Sequence, residues 1–226
     1  MSAFDAYDES YRDVVQRSIA FSGLKHDLFL EAKARILADV FTHHFGEARP
    51  SLLDVGCGVG SLHPYLRPIV GDLGGCDPSA GSLAKAGTAN AGVDYRAQEH
   101  EGLPWADASV DASLAVCVFH HVPPAERAAL LGEMVRVTRP GGLVLVIEHN
   151  PWNPLTRLAV ARCPFDDDAV LLGARECRER LRGAGLEQVE SRHFLVVPST
   201  GRWAKTIEAP IRRVPIGAQY LAYGTV

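Results

Sequence analysis

The 226-residue chain is 47% hydrophobic and 22% charged, the composition of one water-soluble globular domain whose core needs no disulfide or metal staple. Its 23 basic against 27 acidic side chains leave a formal charge of −4, which disfavours a nucleic-acid partner, because neutralising phosphates takes a basic face. Five cysteines without a C-x-x-C pair argue against a zinc finger or a secreted disulfide framework. The acidic start and the shortness of every apolar run predict a cytoplasmic chain with no signal peptide and no membrane span.

Residues 10 to 46 predict helix. Val14, Val15 and Ile19, then Leu28, Phe29, Ala32, Ile36, Leu37, Val40 and Phe41, recur at helical spacing, and Ser22-Gly23 divides the stretch in two. From residue 51 short apolar runs alternate with helix-like segments. Ser51 to Val55, Leu73 to Cys76, Val93 to Ala97, Val110 to Phe119 and Leu143 to Ile147 are strand candidates, with an amphipathic helix at Pro124 to Val137 between the last two. That alternation predicts a parallel sheet covered on both faces. Beyond residue 150, Pro151, Pro154 and Pro164 interrupt the rhythm. Leu155 to Ala161 and Arg175 to Ala184 read as helices, and Leu186 to Val197 and Gly217 to Tyr223 as the last strands.

The first strand runs into Asp54-Val55-Gly56-Cys57-Gly58-Val59-Gly60, with a helix expected from about Ser61. Glycine at every second position lets a ligand approach the backbone, and the next helix start favours a polar or anionic group there. Asp77 ends the second strand, twenty-three positions after Asp54. Its carboxylate suits both hydroxyls of a ribose, while capping a helix that begins near Pro78 is the plainer use. Loop and acid together point to a nucleoside. The glycine order is not G-x-G-x-x-G and no Gly-Lys-Ser/Thr follows, which speaks against a nicotinamide-dependent reductase and a P-loop.

These residues resemble the first motif of the class I S-adenosylmethionine-dependent methyltransferases. Four further stretches are similar to that family in order and spacing: Cys76-Asp77-Pro78-Ser79, Glu99 to Trp105, Val110 to Val122 with its His120-His121 pair, and Arg139-Pro140-Gly141-Gly142. Together they cover about residues 50 to 150. The resemblance implies S-adenosyl-L-methionine as cofactor. Asp54, Gly56, Cys57, Gly58 and Gly60 would lie along its methionine part, Asp77 and Pro78 at its ribose, Glu99 or His100 near its adenine, and Cys117 at the end of strand four. It also implies a leading helical lid, with Tyr7 and Tyr11 either against substrate or in ordinary packing. Glu99 departs from the aspartate usual in this subgroup, and Gly81 is expected to shorten the helix after Asp77.

Methyl transfer from a sulfonium asks the protein mainly to align the partners and exclude water; a base is needed only where the acceptor loses a proton. His120, His121 and His149 follow strands four and five on the ligand edge of the sheet and titrate in the right range, although each also has a packing or loop-bonding reading. No metal is expected, since no carboxylate or cysteine lies at a familiar ligand spacing from the His pair. The polar run from Glu148 to Arg157 suggests a substrate loop through Asn150 and Trp152, against a Pro-stiffened connection with Asn153 as helix cap. Asp166-Asp167-Asp168 reads as a solvated acidic turn capping a helix, with cation binding as the second reading, and Arg202, Lys205, Arg212 and Arg213 as solvated surface or a dock for an anionic substrate.

The expectation is one α/β domain, residues 1–226, with a Rossmann-like, seven-stranded, mostly parallel sheet and helices on both faces. Residues 1–50 form the lid, 51–150 the cofactor-binding core, and 151–226 a substrate-shaping segment with the last strands. The expected activity is methyl transfer to a small organic molecule, oxygen being the favoured atom. Two rivals stay open: a cyclisation or rearrangement aided by the bound cofactor, and a non-catalytic binding module. Oligomeric state is left open.

Overall fold

The computed structural model describes the chain from residue 11 onward, except residues 99–101, 198, 200, 202, 204–205, 207–209 and 212–213. Tyr7, Glu99, His100, Arg202, Lys205, Arg212 and Arg213 therefore lie outside the described residues, as does the side chain of Tyr11.

Seven strands, β1 (Leu52–Val55), β2 (Leu73–Asp77), β3 (Asp94–Ala97), β4 (Val110–Val116), β5 (Thr138–His149), β6 (Glu187–Phe194) and β7 (Gln219–Thr225), make one sheet in the order β3-β2-β1-β4-β5-β7-β6. The pairs from β3 through to β5 are parallel; β7 runs antiparallel to both β5 and β6. Alternate side chains of the central strands feed opposite cores, as the two-residue period requires. Leu52, Leu114 and Leu145 face the helix α2 (His26–Phe45) through Leu37, Val40 and Phe41. Leu53, Ala115 and Val146 face α5 (Arg127–Val137) and α7 (Ala174–Gly183) through Leu131, Met134 and Leu181. Burial on both faces is why these strands read as unbroken apolar runs.

Boundaries depart from the sequence expectation where local chemistry overrides periodicity. β4 stops at Val116, short of Phe119, because Cys117 turns into the left-handed region at φ 57°. β5 begins at Thr138, five residues earlier than expected: Thr138 pairs with Val110 before an irregularity, and regular pairing resumes at Leu143. The helix expected from Ser61 is a single turn, α3 (His63–Leu66), since Pro68 lacks the N–H to continue it. Gly81 does not shorten the next helix. α4 (Ala80–Ala89) runs ten residues from a Ser79 cap whose Oγ accepts the Ser82 N–H at 3.1 Å.

The N-terminal segment breaks at Ser22-Gly23 as expected: α1 (Tyr11–Ile19) passes through a 3₁₀ turn at Ala20–Ser22 to Gly23 (φ 69°) and then α2. Val14 packs with Cys163 and Phe165, and Ser18 Oγ lies 3.4 Å from the Arg162 carbonyl. The leading helix is thereby tied to the segment after α6 (Pro154–Val160).

Leu114→Ala, at a fully buried central position, should cost about 2–5 kcal/mol in urea unfolding. Val170→Ala, at a side chain 49% exposed, should stay within about 0.5 kcal/mol.

Candidate active site

A cavity of about 1880 Å³ opens beyond the carboxyl ends of β1, β2, β4 and β5, roofed by α1, α2 and residues between 153 and 166. That is the edge at which open parallel sheets bind ligands.

At one end lies the glycine loop. The Gly56 and Cys57 N–H groups donate to the Cys76 carbonyl at 2.8 and 2.9 Å, folding the loop back over β2. Gly58 has φ 52°, a Cβ added there meets nothing, and its N–H donates to Asp77 Oδ2 at 2.9 Å. The bare backbone thus lines the cavity beside a buried carboxylate. Asp77 Oδ1 accepts the Ser79 N–H, but the cap of α4 is Ser79 itself. Gly60 has a different duty: a Cβ there would come within 2.7 Å of Asn90 and Tyr95, so it permits packing rather than ligand approach. Asp54 is buried with its Oδ2 3.0 Å from His63 Nε2, and His63 Nδ1 reaches Tyr95 Oη at 2.5 Å, a chain that supports the loop from below. Burial, reinforced by Asp54 and Asp77, pushes the Cys57 thiol far up, so it stays a neutral lining group. Pro78 and Gln98 complete this end.

At the other end polar groups converge under aromatic side chains. Cys117, at its strained φ, presents its sulfur 3.8 Å from Lys33 Nζ and 3.6 Å from Gln219 Nε2. Burial raises that thiol, but the charges of Lys33 and His149 outweigh it and bring it down to about 7. Lys33 is only 8% exposed and has no carboxylate hydrogen-bonded to it among the described residues. His149 Nδ1 lies 3.5 Å from Gln219 Nε2, whose partner atom Oε1 is buried without a hydrogen bond.

His120 is held by two carboxylates. Its Nδ1 lies 2.6 Å from Glu148 Oε2, and its Nε2 lies 3.3 Å from Asp166 Oδ1. Burial lowers the imidazole, yet Glu148 and Asp166 overcome this and raise it to about 11. Glu148, fully buried, also accepts the Phe119 N–H at 2.8 Å; the His120 charge draws its carboxyl below the usual range against the cost of burial. His121 is lowered by burial and by its neighbour's charge, with Nε2 3.4 Å from the same Asp166 oxygen.

The structure corrects three expectations. Asn150 is buried away from the cavity, its amide donating to Pro215 and Gly217 carbonyls and accepting the Trp152 N–H, so it ties the β5 exit to the β7 approach. Trp152 is 77% exposed and does not line the cavity. Asp166 is no solvated turn: it reaches inward, while Asp168 stays outside. Asn153 does cap α6, accepting the Leu155 and Thr156 N–H groups. Lys33 and Gln219 were not read as site residues, and Asp166 only as one of three aspartates for which a cation was the second reading. Lys33 left a trace, a charge on the apolar stripe one turn from both Phe29 and Leu37.

Residues 53–146 match the family model described as Methyltransferase domain, somewhat less than half of the chain. A demethylmenaquinone methyltransferase of Beutenbergia cavernae is 36% identical over 115 residues, 49% of this chain and 47% of the relative; the chain spans about half the length of that protein. A ubiquinone biosynthesis O-methyltransferase of Methylobacterium nodulans is 28% identical over 197 residues, 78% of each chain. Among solved structures, a possible histamine N-methyltransferase of Thermotoga maritima, described as S-adenosylmethionine-dependent, superposes with a TM-score of 0.62 at 21% identity. The match covers 94% of this chain and 98% of that one, a likeness of fold.

The thiolate of Cys117 forms as pH rises through about 7. Its alkylation by iodoacetamide, followed by peptide mass spectrometry, should rise with that midpoint. Lys33→Met should move the midpoint upward; a midpoint near the ordinary 9.0 in the unaltered protein contradicts the electrostatic account.

Proposed function

We propose that this chain, which carries a class I S-adenosylmethionine-dependent methyltransferase domain, methylates an acidic hydroxyl oxygen, of phenol or enol type, on a small and largely apolar acceptor in a biosynthetic pathway. Lys33 carries the reading. A buried ammonium whose hydrogen-bonding neighbour is a thiol, facing a cavity, is costly unless an anion joins it. The relative named for ubiquinone biosynthesis, aligned over 78% of each chain, supports oxygen as the methylated atom.

The residues fit the cofactor. Gly58 offers bare backbone, Asp77 a buried carboxylate on the cavity wall, and the cavity has room for a nucleoside and an acceptor together. When bound, S-adenosylmethionine supplies an electrophilic methyl group on a sulfonium sulfur. Asp77 accepts the ribose hydroxyls, and the backbone from Gly56 to Gly58 bears the amino-acid arm. Lys33 holds the acceptor oxygen as it becomes anionic, and His149 takes its proton. α1 and α2 close the cavity over the reacting atoms and keep water out. The five cysteines are all free and none of the described helices is long and apolar enough to cross a membrane, which supports work in the reducing cytoplasm.

Incubation with methyl-labelled cofactor and a panel of phenols, enols, amines and carboxylic acids tests the reading. Label should reach oxygen of the phenol or enol class. Lys33→Met should cut kcat/KM about 10²–10³-fold, as loss of an oxyanion donor does, and His149→Gln about 10²–10⁴-fold. Label on nitrogen, or a Lys33→Met variant with full activity, overturns it.

Asp77→Ala should weaken cofactor binding in calorimetry by about 2–3 kcal/mol, the worth of hydrogen bonds to a charged group. Unchanged affinity contradicts the ribose placement.

A further inference from the structure

We propose that His120, His121 and Asp166 form a binding site for one divalent ion of the zinc class in the wall of the cavity, with an open position facing the acceptor. His120 Nε2 and His121 Nε2 stand 3.3 and 3.4 Å from the same oxygen, Asp166 Oδ1, and the three donor atoms lie within 4.8 Å of one another. Ligands at about 2.0–2.1 Å around a tetrahedral zinc stand roughly 3.3 Å apart. The same separations are long for charge-assisted hydrogen bonds, which run about 2.7–2.9 Å. The contrast within one ring is direct: His120 Nδ1 makes a 2.6 Å contact to Glu148, whereas its Nε2 stops short of Asp166.

Glu148 supplies what a metal-bound imidazole requires on its far side. It is fully buried, is fixed by the Phe119 N–H at 2.8 Å, and holds Nδ1 so that Nε2 points at the other donors. A carboxylate behind a ligating histidine orients the ring and raises its basicity. Two imidazoles and one carboxylate are a donor set for zinc and its first-row neighbours, and three protein ligands leave a position for water or substrate. A dication bound there takes the place of the His120 Nε2 proton, facing Asp166 on that side of the ring while Glu148 stays on the other. The other titratable groups facing these ligands in the described contacts are His149, whose ring centroid lies 5.2 Å from that of His120, Cys163 beside Asp166, and the exposed Asp168, whose Oδ1 is 3.8 Å from His121 Nδ1.

The backbone holds the two contributing segments together. The Val170 N–H donates to the His120 carbonyl at 2.8 Å, and the buried Arg127 guanidinium joins the Val122 and Val170 carbonyls. The donors are therefore preorganised. All three residues line the cavity that holds Lys33 and His149, so the open position faces the acceptor. Only that last clause rests on the proposed methyl transfer; ion binding itself does not.

The test uses the full chain, freed of any affinity tag, stripped with chelator and without cofactor or acceptor. Zinc is titrated against a chromophoric chelator, and cobalt(II) is added separately to read its visible absorption. One ion per chain and the strong bands of four-coordinate cobalt are expected. Asp166→Asn and His121→Gln should each weaken binding at least 100-fold, and Glu148→Gln, acting behind His120, about 10–100-fold. Thermal melts identify any variant that fails to fold, and His121→Gln, at a half-buried side chain, remains informative if Glu148→Gln does. Absence of stoichiometric binding by the unaltered chain overturns the site, as does equal binding by the folded His121→Gln and Asp166→Asn variants, which marks adventitious ions at surface histidines. Cofactor binding and label transfer are measured separately, so a failure of this site is distinguishable from a failure of the methyl-transfer reading.

Discussion

The position of β1 at the centre of the sheet is the constraint from which the site follows. Val55 pairs with Cys76 on one side and Ala115 on the other, so the chain leaves β1 between the ends of β2 and β4. Successive crossovers run outward in opposite directions from this pair, and the loops beyond it diverge and leave a crevice. Asp77 and Cys117 end up flanking the glycine loop because Asp77 follows Cys76, the last β2 residue paired with β1, and Cys117 follows Val116, the last β4 residue paired with β5. Slip the register by one residue and the alternating core faces exchange, so the geometry is fixed by the same apolar contacts that hold the fold.

Polar groups at the acceptor end are affordable only because they come in satisfied sets. Glu148 is fully buried, and an unpaired carboxylate there would cost several kcal/mol. It accepts one backbone N–H and one imidazole, and the imidazole in turn meets Asp166. Asp166 is held in reach by the 3₁₀ turn at Pro164–Asp166, which packs Phe165 against Val14 of the leading helix. The roof of the cavity and the charge cluster in its wall are thus one structure. A change in how α1 seats on Phe165 is felt at His120 through two residues.

What was legible in the sequence follows physical range. β4 and β5 of the parallel core were readable because burial on both faces makes them apolar runs, whereas β3 is polar and mostly exposed; Asp77 was readable because a βα unit fixes its distance from Asp54. The β5 start was hidden by Arg139-Pro140-Gly141-Gly142, whose residues signal a turn although Thr138 already pairs with Val110. Asn150 looked like a substrate contact because its partners, Pro215 and Gly217, lie more than sixty residues away. The acidic run at Asp166 was visible but its role was not, for the same reason: nothing local distinguishes Asp166 from Asp167 and Asp168, and only the fold carries one of the three to the histidines. Lys33 was the exception, since a charge on an apolar helical stripe is a local inconsistency, and such inconsistencies mark functional positions.

The charges along the cavity then give the proposed reaction its direction. Asp54 and Asp77 make the glycine-loop end negative, the sign that favours a sulfonium nucleoside. Lys33 puts a positive charge on the far wall, the sign that favours an ionised hydroxyl, while the charge on His120 is offset by Glu148 and Asp166. Between them sits Cys117, a thiolate near neutrality only because Lys33 and His149 stand beside it. An anionic acceptor drawn to Lys33 competes with that thiolate, and in a space shielded from water the repulsion between two like charges a few ångströms apart is strong. Protonation of the thiol relieves it and leaves Lys33 to the acceptor. Under the proposed reaction, Cys117 balances the buried ammonium of Lys33, which has no carboxylate hydrogen-bonded to it among the described residues, until an anionic acceptor takes that place.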